Sequence, residues 1–107
     1  VISEKDILEY LERFEDISSE ERKDERKTFT IFKKNDKIML VIHNDTKPLR
    51  IETRCDLKLS KNLQEKYESV MESKALGRNG IEIICSGQLE SDEILDLVRH
   101  AYEKVSE

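Results

Sequence analysis

The sequence predicts a two-layer α+β domain: an antiparallel sheet of about five strands with helices on one face. Three observations carry that expectation. The chain has 107 residues, room for one modest core and no second lobe, so residues 1–107 are read as a single domain. Its apolar blocks follow the order helix, three strands, helix, hairpin, helix, joined by short connections that favour antiparallel neighbours. The last block has the clearest helical period, with Ile94, Leu97, Val98, Ala101, Tyr102 and Val105 spaced 3, 1, 3, 1 and 3 apart.

The first helix is expected from about Glu4 to Glu15. Ser3 and Asp6 form a capping pattern, and Ile7, Leu8, Leu11 and Phe14 recur at helical spacing. Residues 18–27 hold eight charged side chains in ten and no apolar anchor, so the expectation there is a charged, mobile loop or a frayed helix. Thr28 to Phe32 is β-branched and aromatic, Asn35-Asp36 is a turn pair that tolerates positive φ, and Ile38 to Ile42 is a continuous apolar run. These read as a hairpin whose second strand is buried on both faces. After the turn at Asn44 to Pro48, Leu49, Ile51, Thr53 and Cys55 alternate with Arg50, Glu52 and Arg54, which places the first set toward the core. Asp56 is positioned to cap a helix whose apolar stripe is Leu59, Leu63, Tyr67, Val70 and Met71. A short strand at Ser73 to Leu76 then turns through Gly77-Arg78-Asn79-Gly80 into Ile81 to Cys85, and Ser91 opens the closing helix.

Charged residues make up 40% of the chain and hydrophobic ones 36%, the latter gathered into periodic blocks, as in a folded domain with a polar surface. No run reaches the ~18 apolar residues of a membrane span, and the opening residues lack a signal-peptide layout, so a cytoplasmic protein without a membrane partner is expected. In that compartment Cys55 and Cys85 are read as reduced core residues. The net charge of −5 hides a division. Residues 1–25 hold 4 Lys/Arg and 10 Asp/Glu, residues 26–78 hold 13 and 7, and residues 79–107 hold 2 and 7. Two acidic ends bracket a basic middle that is able to attract anions locally.

No catalytic, metal or cofactor motif appears. The two histidines, His43 and His100, lack a neighbouring nucleophile at motif spacing and read as structural or surface residues. Cys55 and Cys85 are too far apart in sequence for a zinc motif of paired close spacings. The residues after Gly77-Arg78-Asn79-Gly80 alternate like a strand, which makes this glycine pair a hairpin turn in place of a phosphate cradle at a helix start. The expectation is a non-enzymatic binding protein with neither metal nor cofactor.

Several local patterns resemble the MmcQ/YjbR-like family of small bacterial and archaeal proteins. They are the Lys-led strand Lys37 to Ile42, the strand Leu49 to Cys55 ending at Asp56, the entry Gly77-Arg78-Asn79-Gly80 into Ile81-Glu82-Ile83, and the closing helix with Tyr102. The resemblance covers about Phe29 to Val105 and is that of a divergent member. Ile81 stands where the family has Trp, and the charged segment 18–27 replaces a Pro-Gly element. The resemblance implies an α+β fold and, by analogy of fold, DNA binding.

Nucleic-acid contact is therefore expected through Lys33, Lys34 and Lys37 around the first hairpin, Arg50 and Arg54 on one strand face, and Arg78 at a second hairpin tip. The alternative is a protein-interaction or homodimerising adaptor. If Ile38, Leu40 and Ile42 face the helices, then Phe32, Met39, Val41 and Ile84 would form an apolar patch on the other sheet face. Charge reversal at Arg50 and Arg54 would separate the two, abolishing binding only in the first.

Overall fold

The computed structural model describes every residue from Val1 to Glu107. Its elements run α1 (Glu4–Leu11), β1 (Ser18–Asp24), β2 (Lys27–Lys34), β3 (Lys37–His43), β4 (Leu49–Arg54), α2 (Leu57–Lys66), β5 (Val70–Ser73), β6 (Gly77–Cys85) and α3 (Ser91–Val105). Six strands, one more than expected, form one sheet in the order β1-β2-β3-β4-β6-β5, antiparallel throughout.

The additional strand is β1, drawn from the segment expected to be a loop. Every one of its side chains is exposed, so no hydrophobic periodicity could mark it. Backbone pairing with β2 holds it, from Ser18 opposite Lys33 to Asp24 opposite Lys27, and Glu25 makes the turn at φ 54°. A charged edge strand of this kind also discourages pairing with another chain.

The helices and the sheet share one core. Ile7 and Leu11 of α1, with Ile94, Leu97, Val98, Ala101 and Val105 of α3, pack on Leu40, Ile42, Ile51, Ile81 and Ile83. Leu59 and Leu63 of α2 join its margin. Ser3 and Asp6 do form a reciprocal cap, and Asp56 accepts the Leu59 amide at 3.4 Å, as their positions require. Asn35 and Asp36 both adopt positive φ, 55° and 62°.

Three boundaries differ from expectation. α1 stops at Leu11 with Glu12 as its C-cap, short of Glu15, and Phe14 packs against the core from beyond the helix end. Val70 and Met71 belong to β5, because α2 stops at Lys66 and Tyr67 is extended, with φ −126° and ψ 126°. The second hairpin turns at Lys74 to Leu76, one step before the glycines, and Gly77 at φ 60° opens β6. At Gly80 a Cβ would lie 2.7 Å from the Thr53 carbonyl oxygen and from a Leu76 methyl. Because one obstacle is the backbone of a central strand, Gly80→Ala is expected to destabilise the fold by about 2 kcal/mol. A chemical melt that leaves the midpoint unchanged would contradict that packing.

An irregularity in the β2–β3 pairing determines what the opposite face carries. Lys33 pairs with Ile38 while Phe32 pairs with Leu40, so Met39 is an extra residue on β3. This bulge turns Met39 into the helix-side core and puts Ile38 on the far face with Ile31 and Val41. Phe32 is in the same helix-side core. The apolar outer patch expected from Phe32 and Met39 therefore does not exist. Val41 does lie on the far face but is buried, and Ile84, opposite Arg50, is half-buried there.

Candidate functional site

The face without helices is a groove. Its floor is Phe29 and Ile31 of β2, Ile38, Val41 and His43 of β3, and Glu52 of β4. One wall is the β1–β2 hairpin with Arg22, Lys23, Asp24 and Lys27; the other is the β5–β6 turn with Lys74 and Ala75. Together they enclose about 580 Å³. A second cavity of about 260 Å³ continues it toward the β3–β4 turn and shares Lys27, Phe29, His43 and Lys74. Arg26, Thr28, Asn44, Asp45, Thr46 and Arg50 complete its lining.

Two buried carboxylates organise this face. Glu52 and Glu82 are paired across β4 and β6, and each is the one carboxylate of its strand. Glu52 lies 2.7 Å from His43 Nε2 through Oε2, while its Oε1 accepts the Ser73 hydroxyl at 2.8 Å and the Ala75 amide at 2.9 Å. Those last two bonds fold the β5–β6 turn back over the sheet and thereby position Lys74. Burial alone would raise the Glu52 pKa, yet the bonds from His43, Ala75 and Ser73, with the His43 charge, outweigh it and hold the carboxyl at about 2. Glu82, fully buried, accepts from the Arg50 guanidinium and lies 3.9 Å from Lys74 Nζ. Glu82 Oε1 and Arg50 Nε are buried without a hydrogen-bond partner. Phe29 meets the His43 ring edge-on, with centroids 5.0 Å apart.

Ligand atoms of His43, Glu52 and Glu82 lie within 4.8 Å of one another, the one set of side chains here with metal-binding chemistry. Arg50 and Lys74 already bring two positive charges to Glu82, and both Glu52 oxygens are engaged. The set therefore reads as a charge-balanced network beneath the groove.

The cations lining the two cavities are Arg22, Lys23, Arg26, Lys27, Arg50 and Lys74, against Asp24, Asp45 and Glu52. Lys23, Arg26 and Lys27 make no ion pair, since Arg22 pairs with Glu20, Arg50 with Glu82, and Lys74 approaches Glu82. Of the six cations expected to contact nucleic acid, only Arg50 lines this site. Lys33, on the same face, is held by Glu20 at 3.0 Å. Arg54 donates from Nε to the Ile38 carbonyl at 2.7 Å. Lys34 turns to the helix side, donating to the Tyr102 hydroxyl at 2.9 Å and to Ser106 at 2.8 Å. Lys37 and Arg78 are exposed, Arg78 beside α2. They do not form one surface.

Arg22, Lys23, Arg26 and Lys27 escaped the sequence reading because they fell in the supposed loop. The signal available was Glu52 and Glu82, each a lone carboxylate within a strand pattern. His100 is structural: its Nε2 accepts the Asp56 amide at 3.1 Å, at the start of α2. Cys55 and Cys85 are free and buried, and burial raises both thiols to about 11. No helix is long and apolar enough to cross a membrane.

The fold has solved counterparts. The Deinococcus radiodurans protein DR2400, which carries a DUF419 domain, aligns over 96% of this chain and 78% of its own, with a TM-score of 0.83 at 16% identity. A structural-genomics protein from Pseudomonas syringae aligns over 97% of this chain and 99% of its own, with a TM-score of 0.78 at 14% identity. At these identities the likeness shows the fold alone. No family model and no curated protein matches the chain by sequence.

Proposed function

We propose that this chain is a non-enzymatic nucleic-acid-binding domain whose contact surface is the helix-free groove. The observation that supports this most is the lining itself: six cations, three of them unpaired, around a floor that includes Phe29 and His43. Six cations against Asp24, Asp45 and Glu52 give the cleft a positive excess, so an acidic molecule is able to attract a polyanion locally. A floor that carries Phe29 between basic walls suits a strand with accessible bases better than a duplex, whose bases are stacked away.

Binding without catalysis fits the same groove. His43 is held by Glu52, and the two thiols are buried away from the groove lining with raised pKa values. Free, buried cysteines accord with a cytoplasmic setting. The likeness to DR2400 supports the reading as a divergent MmcQ/YjbR-like protein, since DUF419 is related to that family. The adaptor reading has less support, because Ile31 and Val41 are buried on the groove floor and Phe32 and Met39 face the helices.

Fluorescence anisotropy with a labelled oligothymidylate tests the proposal. Micromolar binding that weakens at least tenfold between about 50 and 200 mM salt is expected, from release of counterions by a few phosphate contacts. No binding at the lower salt would end this reading.

A further inference from the structure

The smaller cavity differs chemically from the groove that it closes. Around its 260 Å³ stand Arg26, Lys27, Arg50 and Lys74, with Phe29 as the one hydrophobic residue. Of its uncharged polar groups, Asn44 and Thr46 are already engaged, and the Thr28 hydroxyl is not. Thr46 donates to the His43 carbonyl and accepts the Arg50 amide; Asn44 accepts from Thr30 and donates to Glu4. The charged donors that line the cavity are the four cations, of which Arg26 and Lys27 make no ion pair while Arg50 and Lys74 also face Glu82. Asp45 in the wall and Glu82 beneath offset two of those charges, which leaves two positive charges at the site.

We infer that this cavity is a seat for the terminal phosphate of a single-stranded nucleic acid, with the adjoining nucleotides lying along the larger groove. The inference rests on the groove reading above and deepens it. A phosphate monoester carries close to two negative charges near neutral pH and three acceptor oxygens, whereas a diester within the strand carries one charge. The site's surplus of two positive charges matches the monoester. Four converging cations from three separate segments, the β1–β2 hairpin, β4 and the β5–β6 turn, surround such a group from several sides, which a passing backbone phosphate does not require.

The test compares three forms of one short, internally labelled oligothymidylate: 5′-phosphorylated, 3′-phosphorylated, and hydroxyl at both ends. The expected result is that one or both phosphorylated forms bind about tenfold more tightly than the hydroxyl form at equal salt. The 5′ and 3′ arms show which end is seated. Arg26 and Lys27 are exposed and unpaired, so the double substitution Arg26→Gln, Lys27→Gln is expected to leave the melting curve in place while removing the preference. Equal binding of all three forms overturns the phosphate seat and leaves the groove reading standing. Failure of all three to bind overturns both.

Discussion

Replacing Glu52 by Gln is expected to lower stability by about 3 kcal/mol, or a melting point of roughly 15 °C for a domain of this size. The substitution keeps the shape but removes the charge that His43, the Ser73 hydroxyl and the Ala75 amide all address. Leaving those groups poorly paired in a buried site costs more than the average hydrogen bond contributes. The effect depends on pH in a stated direction. In the folded chain the Glu52 carboxyl sits at about 2, below its ordinary 4.5, so its contribution is complete above pH 4.5 and is lost as pH falls through about 2. Urea melts of the two proteins are therefore expected to differ most near neutrality and to converge in acid. Parallel pH curves would show that Glu52 is not stabilised as its partners imply. Because two of its bonds fold the β5–β6 turn over the sheet, the same substitution also loosens the wall that carries Lys74.

Reversing the unpaired cations of the β1–β2 hairpin with Lys23→Glu, Arg26→Glu and Lys27→Glu is expected to weaken binding of oligothymidylate more than a hundredfold at about 50 mM salt. Stability should move by less than about 0.5 kcal/mol, since all three side chains are exposed and none has an ion-pair partner. A second variant, Lys58→Glu, Lys61→Glu and Lys66→Glu, makes the same change of net charge on α2, outside both groove cavities. It is expected to weaken binding only a few fold, by long-range repulsion that salt screens. Equal losses in the two variants would mean that overall charge, with no particular surface, governs the interaction.

The helix-side half of this architecture was legible because burial leaves a pattern. The α3 positions Ile94, Leu97, Val98, Ala101 and Val105 have helical spacing and all are buried. The β4 alternation put Ile51 and Thr53 inward as read. What the sequence concealed lies where structure depends on backbone pairing. β1 has two solvated faces and hence no apolar period, and the Met39 bulge reverses the alternation of β3 without any glycine to announce it. Both errors moved the candidate site. The first hid Arg22, Lys23, Arg26 and Lys27, and the second exchanged Met39 for Ile38 on the open face. Arg50 was found because strand alternation alone fixes its side.

The most direct measurement is an NMR titration of the 15N-labelled chain with short oligothymidylate. Amide shifts are expected to concentrate in residues 22–29, in His43 to Thr46 and in Lys74 and Ala75, segments distant in sequence that line one groove. Shifts confined to α3 or to the helix-side surface, or none at saturating oligonucleotide, would contradict it.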